Sequence, residues 1–189
     1  MVDNSHGLRY ELAAAVARRA VLHRLARLDA SARVVPLRVV GLALLPVTAE
    51  LAEGFNPAAL CALRPGGPAA SGAATAGMLT GPESGFTVLT PHLLALFELG
   101  SHVGPIAYLE ADYLGRDGWQ SAAVWRGGRL VLGPLLLGRH EVFCPDTAPI
   151  SVALRTLGVT AAGRRDEFVV AGLDRCRSTA QWAREQEQD

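Results

Sequence analysis

The sequence predicts an α+β protein: an antiparallel sheet of about four strands, with helices packed mainly on one face. Three observations carry this. Residues 104–134, GPIAYLEADYLGRDGWQSAAVWRGGRLVLGP, read as three strands joined by two tight turns. Helical periodicity and capping signals flank that block at 8–29 and 91–99. Half of the 189 residues are hydrophobic and 19% are charged, as in a globular chain that builds a core without a disulfide or metal. The expectation is a single domain over residues 1–189.

In chain order, the first element reads as an amphipathic helix over 8–29. Leu8, Leu12, Val16, Leu22, Leu25 and Leu28 recur at mostly helical spacing, and five arginines decorate the remaining positions. Leu37–Pro46 (LRVVGLALLP) is a near-continuous apolar run, expected to be one strand covered on both faces. Thr48 caps a short helical turn closed by Gly54, and Asn56-Pro57 opens a second, to Leu63. Residues 64–86 are dominated by Gly, Ala, Pro and Ser and read as a flexible loop. Thr90-Pro91 starts the helix that ends at Gly100. Beyond the three-strand block, 149–157 reads as a helix with Thr147 as its cap and Gly158 as its stop. Phe168–Ala171 (FVVA) suggests a short strand, and Ser178–Gln181 has the capping-box spacing of a polar terminal helix.

Within the block, alternation puts Ile106, Tyr108, Glu110 and Asp112 on one face of the first strand. Ala107, Leu109, Ala111 and Tyr113 share the other. Gly127-Gly128 suits a two-residue hairpin turn, with Trp125 opposite Leu130 and Ala123 opposite Leu132. Pairing Tyr113 with Trp119 across the first turn makes one aromatic-aliphatic core face. It leaves Glu110, Asp112, Gln120 and Arg126 together on a partly wet one. A one-residue slip instead puts Glu110 beside Ser121.

Charge and composition exclude several function classes. Basic and acidic residues balance at 18 each, so no global field draws the chain to nucleic acid or to an anionic membrane. Every basic residue is Arg, in a composition also rich in Ala, Gly and Pro, as in GC-rich bacterial coding sequences. With no lysine, the side chain needed for a Schiff base or a P-loop phosphate contact is missing. Cys61, Cys144 and Cys176 are widely spaced and odd in number, which suggests reduced thiols in a soluble cytoplasmic protein. No apolar stretch has the length of a membrane span, and no signal peptide is visible.

Few residues carry a chemical pattern. Glu110 and Asp112, at i and i+2 on one strand face, stand about 7 Å apart at ordinary strand rise. That spacing suits a divalent cation, an acid-base pair or an arginine-rich partner. His140, Glu141 and Cys144 have helical ligand spacing, with Cys176 as a further donor, but no second close pair completes a zinc motif. No metal or cofactor is therefore assigned. The leading expectation is a non-enzymatic binding protein. It presents Tyr108, Glu110, Asp112 and Gln120 as a mixed acidic and aromatic surface to a basic protein partner, in the manner of toxin-neutralising immunity proteins. One alternative is a small hydrolase-like or metal-dependent enzyme using Glu110 and Asp112. Another is a structural subunit that self-associates through the N-terminal helix.

Overall fold

The computed structural model describes residues 9–54, 79–80, 84–115, 117–161, 163 and 165–185. The helix expected at 57–63 and nearly all of the loop expected at 64–86 lie outside these residues. The fold is α+β, built on a six-stranded antiparallel sheet. The strands are β1 (Arg9–Arg18), β2 (Val35–Pro36), β3 (Leu42–Pro46), β4 (Ile106–Leu114), β5 (Asp117–Arg126) and β6 (Arg129–Leu137), in the order β2-β3-β1-β4-β5-β6. The helices are α1 (Arg19–Ala26), α2 (Ala49–Gly54), α3 (Pro91–Gly100), α4 (Pro149–Thr156), α5 (Glu167–Ala171) and α6 (Thr179–Arg184).

Both faces of the sheet are covered, which corrects the expectation of helices mainly on one. Ala13, Ala15, Ala17, Tyr108, Ala123 and Trp125 pack beneath α1, α2 and α3. Leu12, Ala14, Val16, Leu109, Ala122 and Val124 pack beneath α4, α5 and α6. Two buried faces explain the largest departure from the sequence reading. Residues 9–18, expected to open a long helix, form a central strand between β3 and β4, and the helix begins only at Arg19. Alanine favours helix locally. Here Leu12–Ala17 are buried on both sides, and small side chains let a helical layer approach from each. Tertiary packing overrides local propensity.

Three further segments differ from expectation. The apolar run 37–46 is not one strand. Gly41, at φ +83°, turns the chain so that Val35 and Pro36 pair back onto Leu44 and Ala43. FVVA is helical: Asp166 accepts a hydrogen bond from Val169 N at 3.0 Å, and Gly172 ends the helix at φ +80°. α4 has Ala148, not Thr147, at its cap. Its Ile150 N–H donates instead to Gln120 Oε1, at 2.9 Å on β5.

The side-chain caps expected at Thr48, Thr90 and Ser178 form. Thr48 accepts from Leu51 N, Thr90 from Leu93 N and Ser178 from Gln181 N. The terminal helix is less polar than its sequence suggests, because Trp182 is fully buried. It belongs to the second core cluster, with the Arg175 guanidinium 4.8 Å from its ring.

Register within the three-strand block is shifted in two places. Leu114 pairs with Asp117, so the first turn has two residues, and Asp112 rather than Tyr113 faces Trp119. This is the one-residue slip that sets Glu110 beside Ser121. Beyond Gly127-Gly128, Trp125 does oppose Leu130, but irregularities put Val124 rather than Ala123 opposite Leu132.

Candidate functional site

The slip divides the four residues expected to form one surface. Tyr108, Glu110 and Asp112 lie on the α1–α3 face, while Gln120 lies on the α4–α6 face. Tyr108, Glu110 and Gln120 are buried, and only Asp112 has a partly exposed carboxylate.

Glu110 is saturated by its surroundings. Its Oε2 accepts hydrogen bonds from Thr87 N at 2.7 Å and Thr87 Oγ1 at 2.8 Å. Its Oε1 accepts from Val88 N at 3.0 Å, Leu89 N at 3.1 Å and Tyr108 OH at 2.8 Å. The carboxylate therefore takes the place of a backbone partner for the three residues leading to Thr90, the cap of α3. Burial, then the Glu110 charge and hydrogen bond, hold the Tyr108 phenol well above its ordinary range. Phe86 and Phe97 close the ring of contacts around Tyr108, with ring centroids at 5.5 and 5.2 Å.

Asp112 has a different environment. Arg9 donates to both of its oxygens at 3.1 Å, and Arg139 lies 4.0 Å away. Arg139 also reaches Asp117 at 3.7 Å. The pair expected to act together is thus split between the core and a surface ion network. Among the described residues, no three His, Cys, Asp or Glu side chains gather as a metal site. His140 stands 85% exposed beside Asp117, and the Cys176 thiol donates to Glu185 at 3.3 Å.

The opposite face holds a cavity of about 320 Å³. Its floor is the sheet: Tyr10 from β1, Ala111 and Tyr113 from β4, and Gln120 from β5. Its walls come from the start of α4, the start of α5 and the chain around Arg177. Tyr10 and Phe168 meet edge to face at 5.4 Å, and half-exposed Phe143 also lines the space. Burial raises the pKa of both Tyr10 and Tyr113, so both phenols stay protonated. Tyr10 OH donates to Leu173 O at 3.2 Å. Tyr113 OH instead accepts from Gln120 Nε2 at 2.9 Å, which leaves its own proton uncommitted. The sequence reading missed this cavity. The alternation that places Tyr10 on the floor was hidden by the helical reading of 8–29, and nothing local to Ser151 or Arg177 marks either residue.

A third feature is the edge formed by β6. Among the described residues its backbone makes no hydrogen bond beyond those to β5. Val131 and Leu136 are about half exposed, and Val142 in the following loop is 89% exposed. Arg126 and Arg129 face each other at the hairpin end, and neither has a carboxylate partner among the described residues.

No protein-family model matches the chain, and neither a curated protein nor a solved structure shows detectable similarity to it. No helix among the described residues is long and apolar enough to cross a membrane.

Proposed function

We propose that this chain is a non-enzymatic binding protein. Its protein partner adds an extended segment to the free edge of β6. The observation that carries this is the edge itself: a strand, RLVLGPLLL, with apolar side chains half exposed and no charge between Arg129 and Arg139. An apolar strand edge of this length is a template for strand addition. Gly133-Pro134 interrupts it, and Pro134 has no N–H to donate, which guards against indiscriminate pairing.

Charge selects the occupant. Arg126 and Arg129 ask for carboxylates at the hairpin end. A second copy of β6 carries Arg129 and no carboxylate between 129 and 139, so it offers these guanidiniums no counter-charge. A partner segment with an apolar centre and acidic ends therefore fits better than self-association. The acidic-aromatic surface read from the sequence has less to support it. Of Tyr108, Glu110, Asp112 and Gln120, Asp112 alone has an exposed charge, and Arg9 already holds it. The same division weakens an enzyme built on Glu110 and Asp112. A cytoplasmic setting fits the free thiols of Cys144 and Cys176.

A synthetic peptide of alternating Val and Thr with Glu at both ends tests the reading, beside a Lys-ended counterpart. Saturable binding of the Glu-ended peptide is expected, with amide shifts centred on 129–137, and Leu136→Lys should weaken it. Equal binding of the Lys-ended peptide, or shifts elsewhere, would overturn it.

A further inference from the structure

The cavity on the α4–α6 face is separate from the β6 edge, and several of its polar groups keep donors that no neighbour takes up among the described residues. Ser151 is only 2% exposed, lines the cavity, and its hydroxyl has no hydrogen-bond partner among the described residues. It stands in the first turn of α4, where backbone N–H groups have no partner within the helix. Gln120 satisfies Ile150 N, whereas Ser151 N finds no acceptor among the described residues. The Ser151 hydroxyl and amide, left open at a helix start, can take a partner from the cavity. The helix end favours a negative one.

Two further groups agree in sign. Tyr113 accepts from Gln120, so its O–H proton is free for another acceptor. Arg177, an exposed residue of the lining, makes no side-chain ion pair or hydrogen bond among the described residues. The two aspartates in the lining each have one oxygen engaged: Asp174 Oδ1 pairs with Arg38 at 3.2 Å, and Asp166 Oδ1 caps α5 through Val169 N. The open donors are the Ser151 hydroxyl and amide, the Tyr113 phenol and Arg177, beside an apolar, aromatic wall. We propose that the cavity binds a small aryl monocarboxylate. Its ring lies among Tyr10, Phe143 and Phe168, and its carboxylate meets Ser151, Tyr113 and Arg177. The volume is at the small end of ligand pockets, which sets the size at one or two fused rings.

The test is titration of the full chain with 2-naphthoate, 2-naphthamide and 2-naphthylmethylamine, followed by calorimetry and amide shifts. Naphthoate should bind saturably, perturb residues 150–152 and 166–168, and bind at least about tenfold more tightly than the neutral amide, as expected when a hydrogen bond to a charged group is involved. Ser151→Ala should weaken naphthoate about tenfold and leave naphthamide closer to its original affinity. Arg177→Gln, at an exposed position that tolerates change, should narrow the acid-over-amide preference. Absent binding, tighter binding of the amine, or a naphthoate affinity indifferent to both substitutions would overturn the proposal. If Ser151→Ala fails to fold, Arg177→Gln decides the matter alone.

Discussion

Replacing Glu110 by glutamine removes one oxygen acceptor and leaves the shape of the side chain intact. The remaining amide oxygen can stand where Oε1 does and keep Tyr108 OH, Val88 N and Leu89 N. The amide nitrogen then faces Thr87 N, and two donors meet. Thr87 Oγ1 can reverse its role and accept, but the Thr87 N–H is orphaned at about 1–3 kcal/mol. The three retained bonds lose the assistance of charge, which roughly halves the strength of each. The lower cost of burying a neutral amide offsets part of this. The balance is a loss of about 3 kcal/mol, or roughly 6–12 °C in melting temperature for a chain of this size. Urea unfolding followed by tryptophan fluorescence measures it, with Trp125 in the same core cluster as reporter. Hydrogen exchange at Val88 and Leu89 should quicken alongside. A Glu110→Gln protein within about 0.5 kcal/mol of the parent, with those amides still protected, would refute the assignment of Glu110 as a structural tie. A surface carboxylate reserved for a partner gives that second pattern.

Other outcomes follow from the same geometry. Ser178→Ala removes the side-chain cap of α6 and should cost about 1 kcal/mol in urea unfolding; an unchanged midpoint would contradict the cap. Gly172→Ala puts a side chain at φ +80° and 2.8 Å from the Arg38 side chain, so a loss above about 1 kcal/mol is expected, and a stabilised variant would count against that geometry. Stability should fall at high pH. Burial, with help from Glu185, pushes the Cys176 thiol up to about 11, and burial raises Tyr10, Tyr108 and Tyr113 as well. The folded chain then keeps protons that the unfolded chain releases. This contribution is complete below the thiol's ordinary 9.0 and is lost as pH rises through about 11. Urea midpoints measured from pH 8 to 11 should decline, and a flat or rising series would contradict the burial of these groups.

The parts of the fold legible in the sequence are those with a local cause. Thr90-Pro91, Ser178 and Thr48 announce helix starts through side-chain hydrogen bonds within a few residues, and Gly127-Gly128 fixes its hairpin through backbone freedom. What failed depended on distant packing. Residues 13–17 read as helix because Leu12, Val16 and Leu22 continue a mostly helical spacing, yet their fate is decided by β3 on one side and β4 on the other. The site was lost by a single residue of register. With a two-residue turn after Leu114, Gln120 leaves the Glu110 face and becomes the external cap of α4. No local signal distinguishes that turn from a longer one, because the flanking strands carry apolar residues on both faces.

The central position of β1 has a consequence for how the chain is made. Tyr10 lies opposite Tyr113, and Ala17 opposite Ile106, so β1 gains its β4 neighbour roughly a hundred residues of synthesis later. At roughly 5–20 residues per second that is a wait of roughly 5–20 s, with one long edge of β1 open. Contacts so distant in sequence also slow the folding of the finished chain. Alanines at 13, 14, 15 and 17 make the waiting strand less adhesive than valine or isoleucine would, because each offers little apolar surface until both layers close over it.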